Sequence, residues 1–160
     1  MDCDSGGKIM NLELRIIDDT NKDEVVLLEV SDSQKKYIAS NKESLEAAEN
    51  EEYKNIARPF AIYADDKLVG FTMFAFEVDY EDSNDRYWLW RFMIDKNFQG
   101  KGYGSAAIEK IIEYFRDNGT GYIKLSTKES NTVALSLYHK YGFEENGEMN
   151  GDEIVLQLNL

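Results

Sequence analysis

The sequence predicts an α/β (α+β) fold: a mixed, mostly antiparallel twisted sheet flanked by helices. Three observations predict it. Apolar runs on either side of Asp65-Asp66 read as a β-hairpin. A glycine-rich run, Gln99-Gly100-Lys101-Gly102-Tyr103-Gly104, joins a strand-like segment to a helix-like one. Near the C-terminus, Asn150-Gly151 separates two more strand-like segments and is a strong hairpin turn signal.

Each element follows from local pattern. Residues 1–10 are polar and read as a disordered extension, leaving 11–160 as one domain. Leu12 to Ile16 alternates with the period of a strand. Asp23 to Ser31 reads as a short helix. Ser33 to Asn50 reads as a second helical region with a break near Ser40-Asn41. Pro59 punctuates the chain before the hairpin strands Phe60–Ala64 and Lys67–Phe74. Phe76 to Asp85 is acidic and reads as a loop or frayed strand end. Tyr87 to Ile94 is aromatic and suits a central strand. Ala107, Ile108, Ile111, Ile112 and Phe115 recur at helical spacing within Ser105–Asp117. Tyr122–Thr127 reads as a strand, and Asn131–Tyr141 as a helix closed by Gly142. Phe143–Met149 and Ile154–Leu158 form the last hairpin.

Composition narrows the class. Asp and Glu number 31 against 18 Lys and Arg, a net charge of -13. Such a field repels nucleic acid and anionic membranes and attracts a small cation. It also serves plain solubility. No apolar run approaches the roughly 20 residues that span a bilayer. The N-terminus lacks the basic and apolar blocks of a secretory signal. A lone cysteine, Cys3, has no internal disulfide partner, and a cytoplasmic location is expected.

The glycine run admits several readings. A Walker A loop needs Lys then Ser or Thr after its last glycine, but Ser105-Ala106 follows Gly104. A dinucleotide fold needs the glycines in an early βαβ unit, and these lie late. A pyrophosphate of coenzyme A held on a helix N-terminus fits the position. A plain turn requiring positive φ fits too.

Gln-x-x-Gly-x-Gly between strand and helix resembles the acetyl-CoA-binding motif of the GCN5-related N-acetyltransferases (GNAT). Asn131 and the segment Leu137-Tyr138-His139-Lys140-Tyr141-Gly142-Phe143 resemble that family's later block. The order of elements resembles it from Leu12 to Leu158. Within the family, Val30–Gln34 with Tyr37-Ile38, and Trp88–Asp95, resemble the spermine/spermidine acetyltransferases. The resemblance implies a sheet splayed at its central strands, a homodimer and acetyl transfer from acetyl-CoA. The acceptor would be a primary amine of a polyamine; an aminoglycoside or a protein amine is the alternative. No metal is implied. A non-catalytic acyl-CoA sensor is the reading from another class.

By that resemblance, Gln99, Gly100, Lys101, Gly102, Tyr103, Gly104 and Ser105 hold the pyrophosphate, mainly through backbone N–H groups. Lys101 is otherwise an ordinary solvated lysine. Pantetheine would lie along Phe92, Met93 and Ile94, with an N–H at Met93 or Ile94 meeting the oxyanion. Asn131 would bond the pantetheine, cap the last helix, or both. Tyr138 matches the tyrosine that protonates the leaving thiolate. Val133, Leu135 and Leu137 are expected to supply that helix's apolar packing. Tyr141 reads as core, and His139 as solvated. An ammonium needs a base, and some polyamine acetyltransferases carry a carboxylate where this chain has Trp90. Trp90 either stacks on an ammonium or packs in the core. Gln34, Tyr37, Glu81, Asp82, Asp85 and Trp90 are the expected substrate contacts, with Glu43 and Glu46 nearby. Glu77 and Asp79 complete the acidic candidates.

Overall fold

The computed structural model describes residues 11–78 and 85–160. Strand β1 (Leu12–Ile16) precedes helix α1 (Lys22–Leu27), a 3-10 turn at Asp32–Tyr37 and helix α2 (Asn41–Ala48). Strands β2 (Ala57–Ala64), β3 (Lys67–Ala75) and β4 (Trp88–Ile94) follow. Then come a 3-10 turn (Lys96–Phe98), α3 (Tyr103–Asp117), β5 (Tyr122–Thr127), α4 (Thr132–Lys140), β6 (Glu144–Asn150) and β7 (Glu153–Asn159). The described strands form one seven-stranded sheet in the order β1-β2-β3-β4-β5-β7-β6. Only β4 and β5 run parallel; every other pair is antiparallel.

Helices cover both faces. On one, Ile108, Ile111 and Phe115 of α3 and Tyr138 of α4 pack on Phe74, Leu89, Ile123, Leu125 and Leu156. Phe74 and Phe115 meet with ring centroids 4.8 Å apart. On the other, Val25 of α1 and Leu45 of α2 pack on Ala61, Phe71, Met73 and Met93.

Several boundaries differ from the sequence reading for identifiable reasons. Helix α1 ends at Leu27, not Ser31. The next residues leave to dock on the end of β4, where Asp95 Oδ1 accepts the Glu29 N–H at 2.9 Å and the Lys96 N–H reaches Glu29 O. The break before α2 is where the sequence put it: Ser40 Oγ accepts the Glu43 N–H at 3.1 Å, and Glu43 Oε1 accepts the Ser40 N–H at 3.1 Å. Pro59 does not stop β2. It pairs with Met73 on one side, while β1 ends opposite Phe60, so no strand demands its missing N–H. Asp65 and Asp66 both have positive φ, as the tight hairpin requires. Helix α3 begins at Tyr103 rather than Ser105. The final turn is Gly151-Asp152, since Asn150 pairs with Glu153. In α4 the expected packing holds for Leu135 and Leu137, which pack on the core, but Val133 is 72% exposed and Tyr138 is the buried residue. Strand β6, at the sheet edge, is exposed along its length.

Two features of β4 position everything that follows. Met73 lies opposite Arg91 and Phe74 opposite Leu89, so Trp90 is the extra residue of a β-bulge. The bulge puts Trp90 and Arg91 on the same face: Trp90 meets Tyr53 edge-on at 5.2 Å, and Arg91 Nε donates to Ser44 Oγ of α2 at 3.2 Å. Leu89 and Phe92 pack toward α3 and α4. The second feature is that β4 and β5 register only at Trp88↔Lys124 and then diverge.

Gly70 of β3 faces Ile94, and a Cβ there would collide with the Met93 carbonyl oxygen. Gly70→Ala is therefore expected to destabilise the fold by about 1–3 kcal/mol. Chemical denaturation would read this as a lower midpoint with an unchanged slope.

Candidate active site

The divergence of β4 from β5 opens a cavity of about 800 Å³. It runs between the glycine turn, the edge of β4, the start of α4 and the ends of β5 and β7. That is ample room for an extended ligand with a second molecule beside it.

Gly100 and Gly102 have φ of 76° and 87°, which side-chain-bearing residues rarely adopt. Gly102 occupies the N-cap of α3 with no side-chain cap, so the first N–H groups of a fifteen-residue helix face the cavity end uncapped. No acidic residue sits in that first turn. Helix dipole and bare N–H groups together make an anion site. Gly100, Gly102, Gly104 and Ser105 line the cavity. Lys101 and Tyr103 do not: Tyr103 packs its ring 6.1 Å from Phe98, and Lys101 Nζ lies 5.8 Å from the same ring.

Gln99 and Gln34 come together. Gln99 Nε2 donates to Gln34 Oε1 at 2.9 Å and to Ile94 O at 2.8 Å. Gln34 Oε1 also accepts the Ser31 N–H at 3.3 Å. Both glutamines thus lock the loop before α2 to the glycine turn and to β4. Tyr37 reaches across from that loop and donates to Ser130 Oγ at 3.1 Å, ahead of α4.

On β4, Met93 turns its carbonyl toward Gly70 of β3. Backbone groups of successive strand residues alternate in direction, so Phe92 and Ile94 face the cleft. Of the two expected N–H groups, Ile94 is the one so oriented. Asn131 Nδ2 donates to Thr127 Oγ1 at 3.2 Å, and its side chain does not cap α4. Tyr138 lines the cavity and is only 9% exposed. Among the described residues its hydroxyl has no hydrogen-bond partner, and burial pushes its pKa well above the ordinary phenol value. His139 points away and pairs with Glu145 at 3.2 Å. Tyr141 is half-buried against the core below α4.

Among the described residues, the charges lining the cavity are not the acids singled out from the sequence. Asp85 lines a separate cavity of about 190 Å³ beside Trp88, Trp90 and Glu148. It is held by Lys124, whose Nζ lies 3.2 Å from Asp85 and 3.1 Å from Glu148. Glu43 is occupied at the α2 cap, where hydrogen bonds from the Ser40 backbone and hydroxyl lower its pKa. Glu43, Glu46 and Glu77 do not line the main cavity. Asp79, Glu81 and Asp82 lie outside the described residues. Among the described lining residues the one carboxylate is Glu153 and the one cation Arg91, flanking Trp90. Neither was singled out from sequence. Glu153 follows the turn that was placed one residue early. Correct placement puts Glu153 on the face of Val155, which packs with Trp88 and Trp90. Burial lowers the Arg91 pKa, opposed by Glu153 and Glu43. No group of three or more His, Cys, Asp or Glu among the described residues could hold a metal.

Residues 24–143 match the model of the acetyltransferase (GNAT) family. The chain is 35% identical over 153 residues to the spermine/spermidine N(1)-acetyltransferase of Bacillus subtilis (strain 168), covering 92% of this chain and 99% of that protein. The spermidine N-acetyltransferase of Vibrio cholerae, solved with CoA and spermine, matches at a TM-score of 0.67 and 22% identity, covering 93% of this chain and 94% of that one. An aminoglycoside acetyltransferase solved with coenzyme A matches at a TM-score of 0.74 and 14% identity, covering 93% and 95%. These structural likenesses establish the fold.

Lys124 holds the registered end of the cleft together. It is 2% exposed, and the carboxylates it pairs with are partly solvated. Burial works to lower its pKa, but hydrogen bonds to Glu148 and Asp85 prevail and raise it above the ordinary 10.5. The stabilisation is therefore full below 10.5 and is lost as pH rises through the raised value. Lys124→Met is expected to cost about 1–2 kcal/mol near neutral pH. Unfolding of both proteins across a pH series should show that difference shrinking above 10.5.

Proposed function

The chain belongs to the acetyltransferase (GNAT) family, and on that premise we propose that it moves acetyl from acetyl-CoA to a primary amine of a polyamine such as spermidine or spermine. One observation carries the reading: a single cavity joins the glycine turn, the open edge of β4 and the unpartnered hydroxyl of Tyr138.

Each part has a task. The uncapped start of α3, with Gly100, Gly102, Gly104 and Ser105, takes the pyrophosphate. The amides of the pantetheine arm pair with the cleft-facing backbone of Phe92 and Ile94, as an added strand would. Asn131 borders the same path. The acceptor nitrogen, once neutral, attacks the thioester carbon, and the Ile94 N–H meets the developing oxyanion. When the C–S bond breaks, the sulfur leaves with the electron pair and takes the Tyr138 proton. Burial keeps the Tyr138 hydroxyl protonated at neutral pH, so a proton is on hand beside the cavity as the thiolate leaves.

The polyamine acceptor rests on three supports. The Bacillus subtilis relative, so named, aligns over nearly the whole chain. The net charge of -13 draws cations toward the cavity. Trp90, Tyr53 and Tyr37 line the same cavity, and an aromatic face attracts an ammonium by about 0.5–2 kcal/mol.

Acetyl-CoA turnover across polyamines, aminoglycosides, N-terminal peptides and anionic amino acids tests the acceptor class. Spermidine and spermine are expected to give the highest kcat/KM. Equal activity on anionic amino acids would sink the reading. Tyr138→Phe is expected to lower kcat about 100-fold while CoA affinity is kept.

A further inference from the structure

Trp90 leaves the bulge of β4 without a carboxylate, yet an alkylammonium must lose a proton before it can attack. We infer that Glu153 is the residue that receives the acceptor ammonium and takes its proton. This rests on the amine-acetyltransferase reading above.

The geometry singles out this side chain. Glu153 is the carboxylate that lines the cavity among the described residues. It sits at the start of β7, on the face shared with Trp90, away from α3 and α4. An acceptor arriving from that face meets cofactor held from the glycine turn at the opening between β4 and β5. The rival acids are engaged elsewhere: Asp85 with Lys124, and Glu43 at its helix cap.

The carboxylate is also aimed. Ser126 Oγ donates to Glu153 Oε1 at 2.7 Å and accepts from Asn150 Nδ2 at 3.1 Å. This relay spans β5, β6 and β7, fixes one oxygen and leaves Oε2 for the substrate. Arg91 is the charged group facing it from β4, and its guanidinium is already bonded to Ser44 Oγ and Trp90 O. Beside it, Lys128 and Asp152 pair with each other at 3.5 Å. Glu153 thus has a cationic neighbour tied to other partners, and an aromatic wall to seat an ammonium.

The proton account closes. Glu153 takes one proton from R–NH₃⁺, leaving a lone pair on nitrogen and a neutral carboxyl group. Nitrogen attacks, the carbonyl π pair moves to oxygen, and its return expels the thiolate. The thiolate takes the Tyr138 proton, and the resulting phenolate takes the surplus proton from nitrogen. Glu153 releases its proton to water. Each turnover yields one amide, one thiol and one proton.

Glu153→Gln, Glu153→Asp and Ser126→Ala in the full chain test this, through kcat/KM against pH on the best amine of the panel. Acetyl-CoA affinity by calorimetry is the control. Glu153→Gln is expected to lower kcat/KM about 100-fold near neutral pH. The deficit should narrow near pH 10, where about 30% of an amine of pKa about 10.4 is already neutral unaided. Glu153→Asp should recover part of the activity, and acetyl-CoA affinity should hold. Ser126→Ala removes the donor that aims the carboxylate, so kcat/KM should fall about 10-fold while acetyl-CoA affinity holds. Wild-type kcat/KM and pH profile in Glu153→Gln overturn the inference. Should that variant not fold, wild-type kcat/KM in both Glu153→Asp and Ser126→Ala overturns it. If the wild type prefers a different amine, the polyamine reading alone fails, and Glu153 is judged on that amine. A wild type inactive on every amine overturns both.

Discussion

The parting of β4 from β5 is the constraint on which the rest of the structure depends. A parallel pair that releases after one registered position leaves backbone N–H and C=O groups in the middle of a sheet. Such groups are costly to bury unpaired, so the cleft invites a ligand with amides of its own. What holds the strands at one end is the Lys124 pairing with Asp85 and Glu148. What spans the other end is the Tyr37 bond to Ser130, between residues 93 apart in sequence. The Gln99 contacts to Gln34 and Ile94 then fix the glycine turn against the open edge. The opening is braced on three sides.

The bulge at Trp90 divides labour between the two faces of the sheet. Without the extra residue, Trp90 and Arg91 would alternate, one toward α2 and one toward α4. With it, both turn to the α2 side, where Tyr53 and Ser44 receive them. Phe92 and Leu89 stay with the core beneath α3 and α4. The two faces of β4 therefore supply different walls of one cavity. They meet only where the strands have separated.

Much of this was legible in the sequence, and the failures share a cause. Periodicity located the strands and helices, because burial on one face imposes it. The glycine run was legible because positive φ at Gly100 and Gly102 leaves few alternatives. Tyr138 was legible through its motif, although it is also a core residue and the exposed Val133 is not. Pro59 misled because its meaning depends on where the neighbouring strand stops. The length of α1 misled because Asp95, far along the chain, captures the residues that would have extended it. Charge misled most. Acid-rich segments were easy to see, but Asp85 and Glu43 had partners that only the fold reveals. Glu153 lies beside a turn whose register a two-residue signal could not fix to the residue.

The exposed edge strand β6 has a consequence for how this protein behaves among its own copies. A bare strand edge is a template for another strand, and unchecked it leads to aggregation. Here β6 carries Glu144, Glu145 and Glu148, and its register with β7 slips between Glu145 and Met149. Negative charge and an interrupted ladder both discourage a second copy from adding itself there. The same acidity that attracts cations to this chain thus opposes edge-to-edge pairing of its copies at β6. Acidification would weaken both effects together.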